Sequence, residues 1–120
     1  MLGYVLDEIF GTSTAGHRAP SGHPERPARA DAVRDALYQA GIAGRGDRLE
    51  LRAASDEELA RVHAGGYLDD LVRLVPGQSG WLDGDTYYSP GTWDAATLAA
   101  GSTSQLAIDI LDGRYSRGLA

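Results

Sequence analysis

The feature that most restricts the fold is a long helical stretch near the end of the sequence, whose middle consists of small residues. The pattern predicts a helix over residues 92–112, capped by Thr92 at its start and by Gly113 at its end. Its centre, residues 95–103, contains only Ala, Gly, Ser, Thr and a single Leu. Because small side chains let another backbone approach closely, we expect this helix to be buried between other layers of the fold.

Shorter patterns ahead of this helix predict strands and a further helix. Residues 3–6 are apolar and predict a buried strand, and a run around Leu49 and Leu51 predicts a second strand, with residues 45–48 in the turn before it. Between them Pro27 suits a first helical turn, and a helical repeat that stops at Gly41 follows, formed by Ala30, Val33, Leu37 and Ala40. Residues 118–120 resemble the start of another strand.

The middle of the chain predicts two helices and a loop. Ser55 and Glu58 form a capping box, which predicts a helix that runs to His63. After an interruption at Gly65 and Gly66, a second helical stretch runs to residues 76–77, with an apolar face formed by Leu68, Leu71, Val72 and Val75. Residues 78–90 contain Gly, Pro and three aromatic residues and predict a loop.

Two of the three histidines, His17 and His23, lie in a predicted loop over residues 11–24. A catalytic zinc ion needs about three protein ligands, and two loop histidines do not supply three. We therefore favour the interpretation that His17 and His23 are solvated loop side chains. Residues 83–85 begin like a calcium loop, but Tyr87 and Tyr88 occupy the fifth and sixth positions, where an oxygen ligand and Gly are required. We therefore predict no catalytic residue and no metal site within this chain.

Composition narrows the class of partners. Eleven Arg, no Lys and 17 acidic residues give a formal net charge of −6, and scattered Arg on an acidic chain argues against nucleic acid or membrane as a partner. The absence of Cys excludes disulfides and thiolate metal sites. A length of 120 residues fits one domain over residues 1–120. The sequence contains neither an apolar run near the roughly 20 residues that span a bilayer nor a signal-peptide pattern, so we expect a cytoplasmic protein.

Five short motifs follow one another in a fixed order along the chain. They are His-Pro-Glu-Arg-Pro-x-Arg at 23–29, Ser-Asp-Glu-Glu-Leu-x-x-Val-His-x-x-x-Tyr at 55–67, Asp-x-Asp-Thr-Tyr-x-Ser-Pro at 83–90, Ala-Gly at 100–101 and Asp-Gly at 112–113. Together they resemble the N-terminal third of the histone deacetylase family, in the branch that includes bacterial deacetylase-like amidohydrolases and acetylpolyamine amidohydrolases. The resemblance spans nearly all of the chain.

The resemblance implies an α/β fold, namely the N-terminal part of an arginase/deacetylase-like three-layer architecture that is helix-rich with a few short parallel strands. It also implies a zinc amidohydrolase that deacetylates acetyl-lysine or acetylpolyamine-type amides. In the family the zinc ligands, a His-His pair and a Tyr lie downstream of the matched region. Zinc is therefore expected in full-length relatives and no cofactor in this chain, and an acetylated substrate only when the C-terminal part is present.

The resemblance also assigns roles to individual residues. Arg26 matches the family's Arg at the floor of the active site, which lines a cavity for acetate, so we expect its side chain to point inward and to be paired. Asp85 and Thr86 match a rim loop of the substrate tunnel, where a polar residue meets the substrate backbone. His63 and Tyr67 are expected to pack a pair of helices against the sheet.

Two hypotheses about function remain open. The chain is either a truncated deacetylase, inactive alone, or a free-standing binding or oligomerisation module built on the same scaffold. We expect a homo-oligomer in the form of a symmetric dimer, because open strand edges pair readily with a second copy.

Overall fold

The computed structural model describes residues 1–13 and 16–120, so that residues 14 and 15 of the predicted loop lie outside the described part. A parallel sheet is formed by β1 (Leu2–Tyr4), β2 (Gly46–Arg48) and β5 (Arg117–Leu119), with β1 in the middle. An antiparallel pair consists of β3 (Gly80–Trp81) and β4 (Tyr87–Tyr88). The α-helices of the described residues are α1 (Ala28–Gln39), α2 (Asp56–Ala60), α3 (Gly65–Leu74) and α4 (Thr92–Leu111), and two short 3-10 helices lie at Glu8–Phe10 and Ala43–Arg45. The predicted α/β class is confirmed.

The parallel sheet is covered by helices on both faces. Successive side chains of a strand point to opposite faces, so Leu2 and Tyr4 face one helix and Gly3 the other. Leu2 lines a hollow with Leu37 of α1, and the Tyr4 hydroxyl donates to the carbonyl of Ala43 at 3.1 Å. Helix α4 covers the opposite face, and the result is three layers, as the resemblance implies.

Two glycines let α4 and the turn after it lie directly on the sheet. Gly3 and Gly118 are paired across β1 and β5, and a Cβ added to Gly3 would lie 2.6 Å from the ring of Tyr115. A Cβ on Gly118 would lie 2.8 Å from Leu106. The ring of Tyr115 and the side chain of Leu106 occupy this space and are almost completely buried, so this face of the sheet is the main core.

A second close approach joins α4 to the segment ahead of α2, and we call it the seam (residues 52–54 and α4 near 97–102). A Cβ on Gly101 would lie 2.3 Å from the backbone nitrogen of Ala54. Ser102, fully buried, accepts the Arg52 N–H through Oγ at 3.1 Å, and the Ala54 N–H donates to the Thr97 carbonyl at 2.8 Å. The small residues of α4 therefore serve a backbone contact along one side of the helix.

The expectations for α4 need two corrections. Only one stripe of the helix is buried, while the opposite side, including Ile108 and Leu111, is exposed. The residue that precedes the helix is Gly91, and Thr92 is its first residue rather than its cap. The Thr92 hydroxyl instead accepts the Ser89 N–H at 2.8 Å, because the chain enters the helix through a tight turn at residues 89–92.

The second strand lies earlier than predicted. Polar residues 46–48 form β2, since a Cβ on Gly46 would lie 2.8 Å from the Leu2 carbonyl oxygen and the glycine allows the two strands to pair. Asp47 and Arg48 are exposed at this edge of the sheet. Leu49 follows the strand, is buried, and extends the pairing through its N–H to the Tyr4 carbonyl at 2.9 Å.

The capping box of α2 is present in both halves. The Ser55 Oγ accepts the Glu58 N–H at 3.2 Å, and the Glu58 carboxylate accepts the Ser55 N–H at 2.8 Å. The helix ends at Ala60, however, and α3 begins at Gly65. The expectation that His63 and Tyr67 pack against the sheet is wrong, because both residues are exposed. Their rings instead lie next to each other, with centroids 5.6 Å apart, at the junction between α2 and α3.

Residues 78–90, predicted as a loop, form the short hairpin β3–β4. Trp81 pairs with Tyr87 across the strands, and their rings meet edge to face at 5.2 Å. The Asp83 carboxylate accepts the N–H groups of Asp85 and Thr86 at 2.8 and 2.7 Å and so fixes the turn. No helix within residues 1–13 and 16–120 is both long and apolar enough to cross a membrane.

Candidate functional site

The loop that contains both histidines lies against the β3–β4 hairpin, and we call this contact the rim (residues 16–25 with 81–92). His23 extends from the loop, and its Nε2 lies 3.1 Å from Oδ1 of Asp85 in the hairpin turn. The imidazole is largely shielded, with 13% of its side chain exposed, whereas the Asp85 side chain is 92% exposed. Trp81 contributes a ring 6.4 Å from that of His23. The two sequence candidates His23 and Asp85 are therefore brought together.

Hydrogen bonding with Asp85, and with the carbonyl of Glu25, raises the pKa of His23 above its ordinary value. Both interactions favour the protonated ring, because a positive imidazolium donates from both nitrogens. His23 therefore changes charge above pH 6.5, the ordinary value for histidine, and its bond to Asp85 is strongest below that pH.

His17 holds the other end of the loop to the start of α4. Its Nδ1 lies 2.8 Å from the Thr92 hydroxyl, and Ser89 accepts the Arg18 N–H at 2.8 Å. The Nε2 atom of His17 is buried without a hydrogen bond in the described residues and lies 3.8 Å from the Glu25 carboxylate. No local pattern indicates that Ser89 and Thr92 bind this loop, because their partners are more than 70 positions away in the sequence.

Asp85 and Thr86 differ in what they offer to a ligand. The Thr86 hydroxyl donates to the Asp83 carboxylate at 3.0 Å. The Asp83 carboxylate also accepts the backbone N–H groups of Asp85 and Thr86. These hydrogen bonds, that from the Asp85 N–H above all, keep the pKa of Asp83 below its ordinary value. Asp85 keeps one carboxylate oxygen on His23 and exposes the rest of the group to solvent. Asp85 is therefore the better placed of the two to accept an N–H from outside the chain.

A cavity of about 350 Å³ lies where β1 and β5 end. In open parallel sheets ligands bind outside the carboxyl ends of the strands, where the strand order reverses, and here β2 and β5 lie on opposite sides of β1. The lining is mostly apolar, and its cation is Arg29 from the first turn of α1; the other residues include Leu6, Asp7, Phe10, Val33 and Ala120. The motif at 23–29 thus leads from the rim to this cavity.

The structure does not meet the expectation that Arg26 is buried and paired. The residue is exposed, and its side chain has no hydrogen-bond or ion-pair partner among residues 1–13 and 16–120. Arg26 precedes α1, whereas Arg29 lies within it, one position before Ala30, which lines the same cavity. Arg29 lies four positions before Val33 and therefore on the same face of α1, and this spacing could have indicated it; like Arg26, Arg29 is exposed to solvent.

The resemblance implies zinc in full-length relatives, and the described residues of this chain do not fit a zinc site. No group of three or more His, Asp or Glu side chains within them is placed to hold a metal ion. His23 is already bonded to Asp85, and His17 to Thr92. What the rim offers to solvent is the exposed remainder of the Asp85 carboxylate.

Comparison with known proteins gives a consistent result. The profile of the histone deacetylase domain matches residues 23–120. The human polyamine deacetylase HDAC10 is 41% identical over 109 residues, which cover 84% of this chain and 16% of that protein. The histone deacetylase-like amidohydrolase of Pseudomonas aeruginosa is 37% identical over 97 residues, covering 78% of this chain and 24% of that protein. The chain thus spans a quarter or less of these two relatives.

A solved structure agrees with the sequence matches. The HD domain of HDA15 superposes with a TM-score of 0.83 at 30% identity, covering 98% of this chain and 33% of that one. The profile match covers more than half of the chain, and the superposition covers 98% of it. The chain therefore belongs to the histone deacetylase family.

Proposed function

We propose that this chain forms part of a zinc-dependent amidohydrolase that removes acetyl groups from acetyl-lysine or acetylpolyamine-type amides, and that it supplies the substrate rim and one wall of an inner cavity. The observation that carries the proposal is the exposed Asp85 carboxylate, held by His23 beside the ring of Trp81. A fixed carboxylate at a tunnel mouth can accept a backbone N–H of a peptide substrate. The metal ligands of such an enzyme come from outside these 120 residues.

The inner cavity suits the product of the same reaction. Deacetylation releases acetate, and a guanidinium is the preferred partner of a carboxylate because it offers paired donors. Arg29 provides that cation in a mostly apolar lining. We propose that Arg29 takes the acetate-cavity role that the resemblance suggested for Arg26, and that the protein is bacterial and cytoplasmic.

The alternative function, a binding or oligomerisation module, is favoured by the open edge of the sheet. Among the described residues strand β5 pairs only with β1, and the outward side of α4 carries Leu111, which is 84% exposed, and Ile108, which is 43% exposed. We propose that copies of the isolated chain associate as a dimer through this edge, since unpaired strands are templates for pairing. Light scattering at micromolar concentration should give the mass of a dimer, and the mass of a monomer would contradict it.

A chimera tests the proposed enzyme function. Residues 1–120 would replace the matching segment of the Pseudomonas amidohydrolase, which is 37% identical over 97 residues. We expect the chimera to hold zinc and to hydrolyse an acetyl-lysine peptide, with activity lost on chelation, whereas the isolated chain should do neither. A folded, zinc-loaded chimera without hydrolysis would contradict the proposal, as would stoichiometric zinc and deacetylation by the isolated chain.

A further inference from the structure

His23 lies between two segments that are distant in sequence and bonds to both through its two ring nitrogens. Nε2 faces the Asp85 carboxylate at 3.1 Å, 62 positions further along the chain. Nδ1 faces both the N–H and the carbonyl of Glu25, each at 3.2 Å. The turn at residues 23–25 therefore offers Nδ1 a donor and an acceptor at the same distance.

Because Nδ1 has both a donor and an acceptor within reach, His23 can donate from Nε2 to Asp85 whether its ring is neutral or protonated. In the neutral ring, Nδ1 accepts the Glu25 N–H and the proton on Nε2 is donated to Asp85. In the protonated ring, Nδ1 donates to the Glu25 carbonyl and Nε2 still donates to Asp85. Only the partner of Nδ1 changes, so the bond to Asp85 persists and gains charge assistance when the ring is protonated.

We propose that His23 is a positioning residue for Asp85, which fixes the rotamer of this rim carboxylate so that its outer oxygen is directed toward a substrate N–H. The proposal rests on the proposed function for its last step, because a substrate is needed for the orientation to matter. The positioning itself rests on the two bonds of His23 and on the exposure of the remainder of the Asp85 side chain.

The surroundings of His23 favour charge on the ring. Asp85 is the charged side chain in contact with it among the described residues, Trp81 contributes an aromatic ring, and its own loop contributes the Glu25 backbone. The Glu25 carboxylate lies closer to His17, at 3.8 Å. The pKa of His23 is raised, so the extra hold on Asp85 is complete below pH 6.5 and declines as the pH rises through the raised pKa.

Two substitutions separate positioning from a general structural role. In His23→Gln the side-chain amide N–H₂ lies close to where Nε2 lies and can still donate to Asp85. In His23→Asn the amide lies where Nδ1 lies and cannot reach it. Three-bond NMR couplings on the 120-residue chain report the χ1 rotamer of Asp85, and we expect one rotamer in the original chain and His23→Gln, and averaged rotamers in His23→Asn.

A titration supplies the second readout. Asp85→Asn should shift the pKa of His23 down toward 6.5, while Asp69→Asn, an exposed change on α3, should leave it in place. The proposal would be overturned if Asp85 kept a single rotamer in His23→Asn, or if the pKa of His23 were the same in Asp85→Asn as in the original chain. Loss of fold is excluded by requiring the α4 amide signals to match the original chain.

The chimera distinguishes failure of positioning from failure of the function. If positioning is right, His23→Asn and Asp85→Asn should each lower kcat/KM for an acetyl-lysine peptide, the double variant should fall no further, and His23→Gln should retain most activity. Additive losses in the double variant would contradict positioning even in an active enzyme. An inactive chimera with a fixed Asp85 rotamer would contradict the function and leave the positioning supported.

Discussion

The seam and the rim both join α4 or its approach to a distant part of the chain, yet different interactions hold them. At the seam, Gly101 lies so close to Ala54 that no side chain fits between them, and Ser102 is fully buried. At the rim, the contact between His23 and Asp85 is polar and one partner is 92% exposed. The contact at the seam therefore depends on the volume of the side chains there, and the contact at the rim depends on charge and hydrogen bonding.

This difference matches what each region has to do. Close-packed contacts transmit strain and tolerate little change in volume, so the seam fixes α4 relative to the segment ahead of α2. Exposed polar contacts contribute little to stability, so the rim can present a carboxylate without being needed for the fold. In the proposed function, the rim would orient a substrate while the rigid seam supports it.

The largest expected effect is that of a methyl group at the seam. Gly101→Ala should destabilise the chain by about 1–3 kcal/mol, the usual cost of overpacking, because the added Cβ would lie 2.3 Å from backbone. Gly66→Ala is the matched control: nothing lies within 4 Å of its added Cβ, so it should stabilise α3 by up to about 1 kcal/mol. Urea unfolding measures both, and equal effects would refute the seam.

A smaller effect on the free energy of unfolding is expected at acid pH, where the Glu58 carboxylate beside the seam becomes protonated. The Arg52 guanidinium bonds the Glu58 carboxylate at 2.7 and 2.8 Å and, with the Ser55 N–H, lowers the pKa of Glu58 from 4.5 to about 2. A lowered carboxyl pKa stabilises the fold above pH 4.5, and this contribution is lost as the pH falls through about 2.

Glu58→Gln therefore costs most near neutral pH, and its cost should shrink as the pH falls from 4.5 to 2. The unfolding midpoint in urea at several pH values measures this change. Glu57→Gln, an exposed change in the same first turn of α2, serves as the control. A constant cost of Glu58→Gln across that range would show that the Arg52 pair does not brace the seam.

Local signals predicted the helices better than the strands. The capping box of α2, the repeat of α1 and the small-residue centre of α4 are each contained within one stretch of sequence. Strand β2 and the hairpin were not predicted, because their formation depends on pairing with another strand rather than on a local pattern. Gly46 fits beside Leu2 of β1, and Trp81 pairs with Tyr87 across the turn. That residues 1–120 form a single domain stays a prediction.

The site was predictable to the level of its segments and not of its contacts. The motif at 23–29 and the turn at 83–86 were identified, and the structure joins them through His23 and Asp85. Which Arg faces the cavity depends on where α1 begins, and the motif alone pointed to Arg26 rather than Arg29. A contact between positions 62 apart has no local signal in the sequence.

The most direct test of the account compares two substrates in the chimera and its Asp85→Asn variant. An acetyl-lysine peptide has backbone N–H groups from which Asp85 can accept, whereas N-butylacetamide has neither a peptide backbone nor a charge. A hydrogen bond to a charged group contributes about 1.5–3 kcal/mol, and each 1.4 kcal/mol is about tenfold, so kcat/KM for the peptide should fall about tenfold or more. The value for N-butylacetamide should change less than about twofold on the same scale. Equal losses for both substrates, or none for the peptide, would contradict the assignment of this edge as the substrate rim.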